Sequence, residues 1–106
     1  GSDLDLSEAQ REEEALEFLD GTEEGGAPRV MPWQNHQIHL RSHARVLKSA
    51  AFQKWNPENQ EVMMDHWMET ANTLAEIAKA QAEAEAEMEE DAEDSKPKSQ
   101  GTPAND

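Results

Sequence analysis

Four histidines carry most of the chemistry open to this 106-residue sequence: His36, His39 and His43 in one short run, and His66 further along. Imidazole can ligate a divalent metal, exchange a proton near neutral pH, or simply pack as a ring with hydrogen bonds at its edges. If the run is helical, the three fall within a narrow arc on successive turns. A metal site would use His39 and His43, four residues apart, with His66 or Asp65 as a third ligand from a neighbouring helix. His36 and His43 would lie about 10 Å apart along the axis, too far to share one ion. Cysteine is absent, and the spacing matches no known metal signature. The sequence therefore assigns no metal and no cofactor, and names only His39, His43 and His66 as candidates. The pattern favours ring packing, with hydrogen bonds to nearby acids or backbone. A pH sensor is the alternative, because protonation inside an apolar seam is costly. No nucleophile stands beside a base, no phosphate loop occurs, and no acid pair is set in a predicted pocket. The expectation is a protein without catalytic residues and without enzymatic activity.

Two helices must position these rings. The first is predicted over about 34–49, where His36, His39, Leu40, His43, Val46, Leu47 and Ala50 keep a three- and four-residue period. Asn35 is placed to cap it, and Gln37, Arg41, Arg45 and Lys48 take the opposite face. The second is predicted over 57–80. Asn56-Pro57-Glu58 gives it a capping side chain, a proline at the first position and an acid in the first turn. Val62 or Met63, His66 or Trp67, Thr70, Leu74, Ile77 and Ala78 continue its period. Phe52 and Trp55, in the short connection, are expected to plug that end of an antiparallel hairpin.

Charge divides the chain in three. Residues 1–27 carry a net −9, residues 28–80 a net +1 and residues 81–106 a net −7, within a total of −15. Only 35% of the chain is hydrophobic, against roughly 45–50% in an ordinary domain. The fold class expected is all-α: a helix hairpin at 30–80, with room for a third, N-terminal helix, flanked by disordered acidic arms. In the arm 1–29, a short helix is predicted over 8–20, begun by a Ser7–Gln10 capping box and stopped at Gly21, with a linker to Pro28. Glu12-Glu13-Glu14 adds self-repulsion there, so the segment is expected to be partly helical and solvated. In the arm 81–106, alternating Ala and Glu extend the second helix to about Glu90. Like charges four apart (Glu83/Glu87, Glu85/Glu89) should fray it at neutral pH, and acidification should raise its helicity. Ser95 to Asp106 reads as a disordered tail. Gly1-Ser2 looks like the remnant of a cleaved tag, which leaves two readings open, a fragment of something larger or a complete protein.

Within the hairpin, the bases lie before Asn56 and the acids mainly after it, which steers the two helices together. Exposed pairs give only about 0–1 kcal/mol each, so burial must hold them. Two helices bury little, and self-association through Trp and Met surfaces is therefore an expectation. The contact residues expected are Trp33, Met63 and Trp67, with Arg41 and Arg45 as a basic stripe. The net charge opposes nucleic-acid binding. No stretch approaches the roughly 20 apolar residues of a membrane span.

The stretch from Asn35 to His43 (N-H-Q-I-H-L-R-S-H), then Lys48-Ser49-Ala50-Ala51-Phe52, resembles a segment near the C-terminus of portal proteins of some tailed bacteriophages. That segment continues into a proline-started helix with a further histidine, as Asn56-Pro57 and His66 do here. The resemblance covers about residues 31–70. It implies the C-terminal appendage of a portal ring, acting in head assembly or genome packaging through other phage structural proteins: scaffold, coat or other portal copies. The location implied is the virion, or the host cytoplasm during assembly. It implies no catalytic residue, and the chain is too short for the stem and clip of a DNA channel. Two alternatives stay open: a free-standing phage scaffolding factor or acidic DNA-mimic-type binding protein, and a His-rich metal-responsive helix pair.

Overall fold

Asn35 and Asn56 each start a helix by the same device. The Asn35 side chain accepts from the Ile38 backbone N–H at 3.2 Å, and the Asn56 side chain accepts from that of Glu58 at 2.9 Å. Each satisfies a donor that the first helical turn leaves orphaned. In the computed structural model, which describes residues 2–20 and 26–95 and side chains to Glu89, the helices are α1 (Ser2–Glu17), α2 (His36–Leu47) and α3 (Pro57–Ser95). A single 3₁₀ turn, Ala51–Lys54, joins α2 to α3. The fold is all-α, and no strand occurs among the described residues.

One amide of α3 reaches across the connection: Gln60 Nε2 donates toward the carbonyls of Phe52, Gln53 and Trp55 at 3.0–3.2 Å, adding to the bonds of the 3₁₀ turn itself. Phe52 and Trp55 do plug this end: their rings meet at 4.9 Å, and both are buried beside Leu16 and Met63. Val46, Leu47, Val62 and Ala27 close around that cluster. The order of contacts makes α2 and α3 antiparallel, since His43 meets His66 while Leu40 shares a groove with Leu74.

α1 departs from expectation. It begins at Ser2 rather than residue 8, with Asp3 and Asp5 in the first turn where the helix dipole favours acids, so Ser7 and Gln10 are interior and form no capping box. It is a packed third helix rather than a solvated arm: Ala9 and Leu16 are fully buried, and so nearly are Glu12 and Glu13. Its C-terminus is closed by α3. Buried Asn59 donates from Nδ2 to the carbonyls of Glu17 at 3.0 Å and Leu19 at 3.2 Å. Those are the acceptors that a helix end cannot satisfy itself. The stop expected at Gly21 lies outside the described residues; Gly26, where the described chain resumes, sits at φ 59°, a left-handed conformation suited to glycine.

The chain divides after Ala75, and the two units are described separately. In the second unit α3 is continuous to Ser95, somewhat past the extension expected to reach about Glu90, and every residue from Glu76 to Glu89 is exposed. The tail expected from Ser95 onward falls outside the described residues apart from Ser95 itself. No helix is long and apolar enough to cross a membrane among the described residues.

Candidate functional site

Residues 39 and 43 lie one turn apart on α2, and residues 8 and 12 one turn apart on α1, so a histidine stripe and an acid stripe of the same period can meet. They do. His39 Nε2 lies 3.0 Å from Glu8 Oε1, and its Nδ1 lies 3.2 Å from Glu12 Oε1. His43 Nδ1 lies 2.8 Å from Glu13 Oε2, which also accepts from the Ser42 hydroxyl. His66 reaches in from α3, with Nε2 2.9 Å from the same Glu12 oxygen. Gln34 donates from Nε2 to the other Glu12 oxygen at 2.7 Å.

The centre of this arrangement is therefore Glu12 Oε1, faced by three imidazoles from two helices. The rings also pack on one another: His39 and His43 edge to face at 5.4 Å, His43 and His66 tilted at 4.9 Å. Relative exposure is 1% for His39, 0% for His43, 4% for His66 and 8% for Glu12, so the cluster is dry. A buried carboxylate survives only when it is paired and hydrogen-bonded.

Electrostatics follow the geometry. Burial works to neutralise Glu12, but the approach of His43 and His66, with the charge of His39, outweighs it and holds the carboxyl well below the usual range. Burial likewise works against a charged His43, and Glu12 and Glu13 on its two sides override it and raise its pKa above 6.5. The His43 Nε2 contact with Glu12 Oε1 is 3.4 Å, a contact of charge rather than a well-formed hydrogen bond. That buried nitrogen has no hydrogen-bond partner.

Of the expected metal candidates, His39, His43 and His66 come together as the spacing suggested. Asp65, the alternative third ligand, is exposed. His36 is buried apart from the cluster, with neither ring nitrogen hydrogen-bonded. Glu8, Glu12 and Glu13 were not among the expected site residues. The signal was present in the matched four-residue spacing of acids and histidines, but the triple glutamate reads first as self-repulsion.

The expected contact residues divide. Trp33 is 72% exposed, and Trp67 and Arg41 line a groove between α2 and α3 with Leu40 and Leu74. Arg41 and Arg45 also border a groove between α2 and the start of α1. Met63 is a correction: at 0% exposure it belongs to the core, because α3 turns residue 63 inward with His66 and Thr70. Met64 and Met68 take the outer face instead, at 48% and 52% exposure. Comparison with known proteins finds no matching family model, no matching curated protein and no matching solved structure.

Proposed function

We propose that this chain is a non-enzymatic helical interaction module, the appendage of a phage portal protein, which docks a basic amphipathic segment of a scaffold or coat protein during head assembly. The observation that carries the docking surface is the outer face of α3. Met64 and Met68 stand one turn apart and exposed, and Glu61, Asp65 and Glu69 beside them are exposed as well. Flexible methionine side chains adapt to a partner's apolar face, and flanking acids select lysine- and arginine-bearing partners. The assignment to phage heads rests on the resemblance of residues 31–70 to portal proteins.

Two results test the reading. Scaffold or coat protein encoded beside the parent reading frame should bind the chain in calorimetry, and the pair Met64→Ser and Met68→Ser should weaken that binding at least about tenfold, since losing two anchors costs over 1.4 kcal/mol. Introduced into the parent gene, the same pair should lower the yield of DNA-filled heads. Unchanged binding and unchanged yield would overturn the proposal, as would a parent frame with no terminase or capsid genes near it.

A further inference from the structure

We propose that Glu12, His39, His43 and His66 form a structural binding site for a divalent transition metal of the zinc class, which ties α1 to the α2–α3 hairpin. The site is independent of the docking surface and stands or falls apart from it.

The donor atoms are set at ligand spacing. Zinc with four ligands at about 2.0–2.1 Å places neighbouring donors about 3.3 Å apart on the edges of a tetrahedron. His66 Nε2, His39 Nδ1 and His43 Nε2 lie 2.9, 3.2 and 3.4 Å from Glu12 Oε1. The donor atoms of Glu12, His43 and His66 all fall within 4.8 Å of one another. Small rotations of side chains on three separate helices would bring these three donors around one ion, and His39, whose Nδ1 also faces Glu12 Oε1 at 3.2 Å, would have to turn further to complete the set.

The far sides of His39, His43 and Glu12 are also built. A metal-bound histidine normally donates its other ring N–H to a carboxylate or carbonyl, which fixes the tautomer and raises its basicity. Here Glu8 faces Nε2 of His39, and Glu13 faces Nδ1 of His43 and is itself held by Ser42. Gln34 fixes the second oxygen of Glu12. Ring packing with hydrogen bonds to acids would use the same carboxylates, so it is the unpartnered nitrogen of His43 that separates the two readings.

The buried nitrogen supplies an independent pointer. His43 Nε2 is fully enclosed, aimed at Glu12 Oε1, and without a hydrogen-bond partner. One carboxylate oxygen cannot give three imidazoles good hydrogen-bond geometry together. A cation among them would engage Glu12, His43 and His66 at once, with His39 turning to join them, while Glu8 and Glu13 balance its charge. Nitrogen and oxygen donors without thiolate suit zinc, nickel or cobalt rather than calcium or magnesium. With His39 as the fourth ligand this buried site would have no open position, which makes the role structural rather than catalytic.

Zinc chloride titrated into the full chain, after chelator treatment at pH 7.5, tests this. Calorimetry should give one ion per chain, and the melting temperature should rise with zinc and fall back on adding chelator. In NMR spectra of the unaltered chain, the ring resonances of His39, His43 and His66 should move, while those of His36 stay. His36 is thus an internal control that needs no variant. Glu8→Gln, at a partly exposed position, should keep the fold and weaken zinc about tenfold or more, the usual cost of an outer-layer carboxylate. Absence of saturable binding, equal shifts at His36, or Glu8→Gln with unaltered affinity would overturn the site.

Discussion

At the scale of single residues, Glu12 and His43 make stability depend on pH from opposite directions. His43 is raised above its ordinary 6.5 in the fold, so its contribution is full below 6.5 and is lost as pH climbs through the folded value. Glu12 is lowered below its ordinary 4.5, so its contribution is full above 4.5 and is lost as pH falls toward the folded value. The groups facing His43 are Glu12 and Glu13 from α1, His39 from its own helix and His66 from α3. Metal-free protein should therefore melt highest between about pH 4.5 and 6.5 and lose stability above that window. Thermal melts in chelator from pH 4 to 8.5 check this, and Glu12→Gln should flatten the alkaline limb. A melting temperature still climbing at pH 8 would contradict the assignment. Zinc acts in the other sense, because it needs unprotonated rings, and should restore the alkaline side.

Among the elements, the boundaries that local chemistry fixes were legible in sequence and those fixed by distant partners were not. Asn35 and Asn56-Pro57 mark the starts of α2 and α3 because a cap works within one turn. Phe52 and Trp55 were legible as a plug, being aromatic residues in a short connection. The docking of α1 was hidden because its buried face includes Glu12 and Glu13, and acids go inside only when partners wait there. Those partners are 27 to 54 residues away in the chain. Val62 and Met63 show a related limit, since periodicity located the inward stripe only to within one residue, and Met63 is the one fully buried. Closure of the α1 C-terminus is also a distant effect, made by Asn59 on α3. Asn59→Ala leaves the carbonyls of Glu17 and Leu19 without this donor and should cost about 1–3 kcal/mol. Urea denaturation would measure it, and amide exchange should accelerate first over residues 9–17. A loss spread evenly over α2 and α3, with α1 unaffected, would contradict this account of the cap.

The molecule as a whole is short of apolar material, and that shortage explains why its acidic N-terminal segment is structural. The buried cluster of Leu16, Phe52, Trp55 and Met63 takes one of its four residues from α1. The histidine face of α2 and α3 is the remaining interior surface, and it cannot be left bare. Stripped of α1, His39, His43 and His66 lose every carboxylate described around them, and Phe52, Trp55 and Met63 lose Leu16. Two helices of this size lie near the limit at which burial balances the ordering of the chain, about 1–2 kcal/mol per residue for the backbone alone. A chain beginning at Gly26 should therefore show no cooperative thermal transition, although α3 would still give helical circular dichroism. Adding back a peptide of residues 1–20 should restore the transition, and Glu12→Ala in that peptide should abolish the rescue. A sharp melt from the shortened chain alone would mean that the hairpin stands by itself and that α1 is an accessory. The two outcomes differ in cooperativity rather than in helix content, so calorimetry decides between them better than circular dichroism.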